Sequence, residues 1–85
     1  MTWDEATRKK FEQMIEKVPV FLRSMAQQKV ALRAEILARQ ENRDVVSEKD
    51  LVDAFFAETP FGFHGPMKSD MQALGIDYTQ YSHPQ

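Results

Sequence analysis

The sequence predicts an all-α domain: a small bundle of three main helices plus a short fourth, with a long helix over residues 20–41 at its centre. Three observations carry that expectation. Residues 20–39 keep a helical period throughout. Cap-like tetrads, Thr2-Trp3-Asp4-Glu5 and Ser47-Glu48-Lys49-Asp50, precede two further apolar runs. Pro19 and Pro60 stand where those periods break.

In chain order, Thr2 with Glu5 has the form of a capping box, and Asp4 and Glu5 suit the positive end of a helix dipole. Phe11, Met14, Ile15 and Val18 then recur at one helical face, so helix one is expected from about Trp3 to Lys17. Trp3 reads either as a staple over that helix start or as an exposed binding aromatic; the staple is preferred, because a small domain needs the buried area.

Pro19 suits a first helical position. Along the central helix Ala26, Val30, Ala34 and Leu37 form one apolar stripe, and Phe21, Met25, Leu32 and Ile36 form another almost opposite. A helix apolar on two sides is expected between two partners. Arg23 is expected at the corner between helices one and two, bonding carbonyls near the end of helix one or pairing with Glu16.

Val45-Val46 is a short extended piece, too short for a strand unless something pairs with it. Ser47 and Asp50 cap a strongly apolar third helix containing Leu51, Val52, Ala54, Phe55 and Phe56, which Thr59-Pro60 stops. Phe61 to Pro66 reads as a loop whose aromatics either lie over the core or mark an interaction site. Met67, Met71 and Leu74 share one face of a short helix that Pro66 starts and Gly75 ends. The segment after Gly75 has no helical period, and its last few residues are expected to be loose. No internal repeat is legible.

Composition bounds the function. Eighty-five residues make one small domain, and the absence of cysteine leaves no disulfide, thiolate nucleophile or Cys-ligated cluster. A net charge of −2 with mixed signs argues against nucleic acid as a partner. No apolar run approaches a membrane span and no signal-peptide pattern is present, so a cytoplasmic protein without a membrane partner is expected.

The search for chemistry finds little. His64 and His83 have no carboxylate at helical metal-ligand spacing, and they read as solvated loop histidines rather than ligands or bases. Paired acids sit where helix caps already explain them, and three scattered glycines build no phosphate loop. No catalytic residue, metal site or cofactor is expected. The candidate interaction surface is the cationic arc Lys29, Arg33, Arg39 and Arg43, spread over roughly 120° of the helix surface. Its plainer reading is a solvated rim, and its sharper one a contact for an acidic protein. The second candidate is the cluster Phe61, Phe63, His64, Met67 and Met71.

Four segments, Trp3-x-Glu5-Ala6, Val18-Pro19-Val20-Phe21-Leu22-Arg23, Glu35-Ile36-Leu37-Ala38-Arg39 and Val45-Val46-Ser47-Glu48, follow one another in order. Together they resemble the small helical domain at the C-terminus of the B subunit of light-independent (dark-operative) protochlorophyllide reductase, a module also found alone. The resemblance spans residues 3–56. It departs in a tryptophan motif one residue shorter, in about one extra turn between Arg23 and Glu35, and in residues 60–85, which lie outside the pattern. It divides the chain into a reductase-like helical part, 1–59, and a loop, short helix and tail, 60–85, packed on it or trailing from it. It implies an accessory or docking module in a tetrapyrrole or electron-transfer complex, since the parent's cluster ligands lie in domains this chain lacks. Two functions stay open: a non-catalytic protein-interaction module, ranked first, and a small-ligand or tetrapyrrole-binding protein using residues 61–71.

Overall fold

The fold is all-α with a long central helix, as expected. A computed structural model describes residues Met1–Gln85. Strand β1 (Thr2–Trp3) leads into α1 (Glu5–Glu16); a one-turn 3₁₀ helix, Val20–Leu22, opens α2 (Arg23–Gln40); β2 (Val45–Val46) leads into α3 (Glu48–Glu58). A second 3₁₀ turn, Phe61–Phe63, opens α4 (His64–Ala73), and a third, Tyr78–Tyr81, closes the chain. The Cα radius of gyration is 11.9 Å, the size of a compact chain of this length, about 12 Å. Residues 60–85 are therefore packed, and Met67, Met71, Ile76 and Tyr78 share one core with Phe11, Val30, Leu51 and Phe55.

The first cap differs from expectation. Thr2 is not the N-cap of α1; Thr2-Trp3 is extended and pairs in parallel with Val45-Val46. The Thr2 amide donates to Asp44 O and the Asp4 amide to Val46 O, both at 3.2 Å. Asp4 is the cap, its carboxylate accepting from the Thr7 amide at 3.2 Å and the Thr7 hydroxyl at 3.0 Å. Each short strand thus has a partner. Trp3 is half-buried against Phe11, ring centroids 5.1 Å apart, and its Nε1–H donates to Glu35 Oε2 at 3.0 Å, which ties β1 to α2.

Helix α2 is not clamped on both sides. Val30, Ala34 and Ala38 are buried against α3 and β2. On the other stripe Phe21 is 84% and Leu32 59% exposed, and Met25 is exposed. The two stripes are real, but only one meets the core. Likewise Phe61 (88%) and Phe63 (65%) stand out in solvent instead of folding back.

Helix α4 begins at His64, two residues before Pro66. Pro66 still falls among the first N–H positions, which have no helical acceptor. Gly75 (φ 76°) ends the helix in a Schellman arrangement, with the Ile76 amide on Met71 O at 2.9 Å. Asn42 (φ 59°) does the same for α2, with the Arg43 amide on Ala38 O at 3.0 Å. The tail is held: His83 stacks on Phe56 at 3.9 Å and its Nε2–H donates to Asp53 Oδ1 at 2.7 Å. That stacking, not helical periodicity, orders it.

The chain also repeats itself. Strand, capped helix, proline, 3₁₀ turn and helix occur once over residues 2–40 and again over 45–73.

Candidate functional site

The repeat is closest at its two proline corners. Pro19 (φ −51°, ψ 140°) and Pro60 (φ −55°, ψ 142°) each leave the preceding helix in an extended conformation. Three residues on, the amides of Leu22 and Phe63 return to the carbonyls of Pro19 and Pro60, both at 2.9 Å. Proline makes this turn easily, because its ring presets φ and the residue before it is pushed out of the helical region.

A side chain then locks each corner. Arg23, four residues after Pro19, donates through Nε to Val18 O and through Nη2 to Glu16 O, both at 2.8 Å. Glu16 O is the last carbonyl of α1 and Val18 O lies two residues past its end, and no helical amide reaches either. His64, four residues after Pro60, donates from Nε2 to Thr59 O at 2.9 Å. The carbonyl can only accept, so Nε2 carries the hydrogen. Arg23 therefore stands where the sequence placed it. His64 does the equivalent task at the second corner, and its ring also meets Phe56 edge-on at 5.1 Å.

Between the corners lies an apolar groove of about 400 Å³. One wall comes from the end of α1 and the start of α2: Met14, Lys17, Val18, Pro19, Leu22, Met25, Ala26, Lys29 and Val30. The other comes from the end of α3 and the start of α4: Phe55, Glu58, Thr59, Pro60, Phe63, Pro66, Met67 and Asp70. The walls match position for position at a separation of 41 residues, Met14 with Phe55, Pro19 with Pro60, Leu22 with Phe63 and Ala26 with Met67, for example. Only Val30 lacks a counterpart in the lining. Charge breaks the match: Lys17 answers to Glu58, and Lys29 to Asp70. Val20, Phe21 and Phe61, on the same two 3₁₀ turns as the lining residues Leu22 and Phe63, are exposed.

The cationic arc is dispersed. Arg33 pairs with Glu58 at 2.8 Å and Arg39 with Glu35 at 3.8 Å, while Lys29 has no ion-pair partner and lines the groove. Arg43 leaves the arc altogether, because the left-handed Asn42 ends α2 before it. Its guanidinium grips Asp50 with two bonds of 2.6 Å. Asp50 is 1% exposed and also accepts from the Ser47 amide at 2.9 Å and hydroxyl at 3.1 Å, the capping box of α3. Burial acts to raise the Asp50 pKa, but Arg43 and Ser47 outweigh it and hold the carboxyl below its ordinary value. The same contact, with a second one to Glu41, raises the guanidinium pKa.

The second candidate cluster is divided as well. Phe63 and Met67 line the groove, Met71 is fully buried in the core, and Phe61 and His64 border a separate shallow recess with Phe56, Lys68 and His83. Across the molecule, Glu48 accepts from Lys10 and from the Tyr81 hydroxyl. Burial and that bond push the Tyr81 pKa up to about 12. For Glu48, burial acts upward but the bonds from Lys10 and Tyr81 prevail, and its pKa is lowered. No group of three His, Cys, Asp or Glu side chains is placed to hold a metal ion, and no helix is long and apolar enough to cross a membrane.

The groove itself was not legible in the sequence. Its only signal was the shared spacing of Pro19 with Arg23 and Pro60 with His64.

No curated protein and no solved structure matches the chain. One family model does, and it runs over both walls of the groove and the tail: the model described as Protein of unknown function (DUF2621) matches residues 1–84, and the chain belongs to that family.

Proposed function

We propose that the chain is a non-catalytic protein-docking module and that the groove between the two proline corners is its docking surface. The observation that carries this reading is an apolar groove lined by the 65% exposed Phe63, with Val20, Phe21 and Phe61 also held out in solvent on the two corner turns that form it. Contiguous exposed apolar surface marks interaction sites, and aromatic anchors beside a pocket supply most of the affinity at such sites. Both corners are locked by proline and by a side chain on a carbonyl, so little conformational freedom is lost on docking. The acids support the non-catalytic part, since Asp4, Asp50, Glu35, Glu48 and Glu58 are engaged in caps, ion pairs or hydrogen bonds.

The reductase-like motif supports a setting in an electron-transfer or tetrapyrrole complex, and its most specific piece, Pro19-x-Phe21-x-Arg23, is the first corner itself. A second reading, a small apolar ligand in the groove, is favoured by the volume of about 400 Å³, which lies in the range of ligand pockets. A tetrapyrrole held jointly by Phe61, Phe63, His64, Met67 and Met71 has less support, since those side chains do not share a cavity.

The test is site-specific photocrosslinking in the native host, with benzoylphenylalanine at Phe21 or Phe63 and, as control, at Lys49 outside the groove. Protein adducts from both groove positions and none from the control are expected. Absence of protein adducts at Phe21 and Phe63, with the chain folded, overturns the docking reading.

A further inference from the structure

We infer that the partner seated on this groove is a second copy of the same chain, turned face to face about the groove's length. The inference rests on the docking reading above and names the occupant. Its basis is the mismatch in charge between two walls that otherwise correspond. Lys17 and Lys29 stand on the first wall, while Glu58 and Asp70 stand at the equivalent positions of the second. Lys17, Lys29 and Asp70 have no ion-pair partner within the chain. A copy rotated by half a turn about a line running along the groove lays its acidic wall over the basic wall and its basic wall over the acidic one. Both contacts are then the same contact, which is what a closed two-fold interface requires. Because the walls match in position, apolar lining also meets apolar lining.

The area is sufficient. A stable interface takes about 800 Å² from each partner. At roughly 200 Å² per phenylalanine, the exposed fractions of Phe21, Phe61 and Phe63, 84%, 88% and 65%, already offer roughly 500 Å². The groove walls and Val20 add to that. Opposed charges set the orientation, and the phenylalanines supply the anchors.

The experiment is sedimentation equilibrium of the full chain over a range of concentration and salt. A monomer–dimer equilibrium is expected, with a Kd that rises with salt. Lys17→Glu with Lys29→Glu makes both walls acidic, and Asp70→Lys makes the second wall more basic. Each variant alone is expected to weaken self-association by at least about tenfold, while an equimolar mixture of the two regains a dimer. None of these three side chains has an ion-pair partner to lose, and circular dichroism checks the fold of each variant. Should either variant fail to fold, the salt series on the unaltered chain decides: a dimer indifferent to salt overturns the charge pairing. A chain that stays monomeric, or variants that dimerise as well as the parent, overturns the inference. A monomeric chain whose Phe63 crosslinks to a different protein rejects the second copy and leaves the docking reading standing; no adduct at all removes both.

Discussion

Arg23 offers the most direct test of the corner on which the groove depends. In Arg23→Met the stem keeps its bulk, while the bonds to Val18 O and Glu16 O, both 2.8 Å, are lost. Hydrogen bonds from a charged donor contribute about 1.5–3 kcal/mol each when buried. Arg23 is only half-buried, and water can reach the freed carbonyls, so about 1 kcal/mol per bond is the appropriate scale. The variant is then destabilised by about 2 kcal/mol, a large share of the roughly 4–13 kcal/mol expected for 85 residues. In a thermal melt followed by circular dichroism, that corresponds to a fall in Tm of roughly 8–16 °C. Arg23→Lys should fall in between, because an ammonium keeps the charge but lacks the planar fork that reaches two carbonyls at once. A melt of Arg23→Met within experimental error of the parent would refute the clamp, and with it the argument that the corner is rigid.

Three further outcomes follow from the same geometry. The Asp50 and Glu48 carboxyls are held below their ordinary values of 3.8 and 4.5. A depressed carboxyl binds its proton more readily in the unfolded chain, so its contribution is present in full above about pH 5 and is lost as pH falls through the folded pKa. Urea midpoints measured down the acid range should drop, and Asp50→Asn should flatten that dependence. Leu51→Ala, at a site 1% exposed, should cost about 2–5 kcal/mol, whereas Leu32→Ala on the open stripe should stay within about 0.5 kcal/mol; parallel urea curves separate the two. Gly75→Ala meets no atom but must adopt φ 76°, so it should lower stability by about 1–2 kcal/mol through backbone strain alone, read as a shifted midpoint with an unchanged m-value.

Much of the fold is legible where one residue type has one physical use. Ser47 with Asp50 is a capping box in sequence and in structure, Gly75 ends a helix because it tolerates a positive φ, and Arg23 finds free carbonyls because Pro19 breaks α1 just before it. Legibility ends where the outcome depends on a distant partner. Thr2-Trp3 resembles a cap until Val45-Val46 supplies acceptors, and Asp4, one turn before Thr7, is the better cap once it does. Periodicity finds both stripes of α2 but cannot say that only one has something to meet. The arc with Arg43 assumes a helix that Asn42 stops. The repeat is hidden because its equivalences lie in torsions: Phe21 matches Gly62, Arg23 matches His64, and the run from cap to proline is two residues shorter in the second half.

That hidden repeat also bears on why so much apolar surface is left outside a small core. A lone domain of this size has little stability to spare, and Phe21, Phe61 and Phe63 would add to it if they turned inward. Instead, proline, a 3₁₀ turn and a side chain locked on a carbonyl hold them outward at both corners. The arrangement occurs twice with different residues: a guanidinium does at one corner what an imidazole does at the other. Two unlike side chains doing the same task point to the corner geometry, rather than to either residue, as the feature the fold preserves. Random exposure does not explain that coincidence, because the two corners line one groove and each carries an exposed phenylalanine. A surface built from both halves of the chain, apolar along its length and oppositely charged on its two walls, has the form of an interface that the isolated chain leaves open.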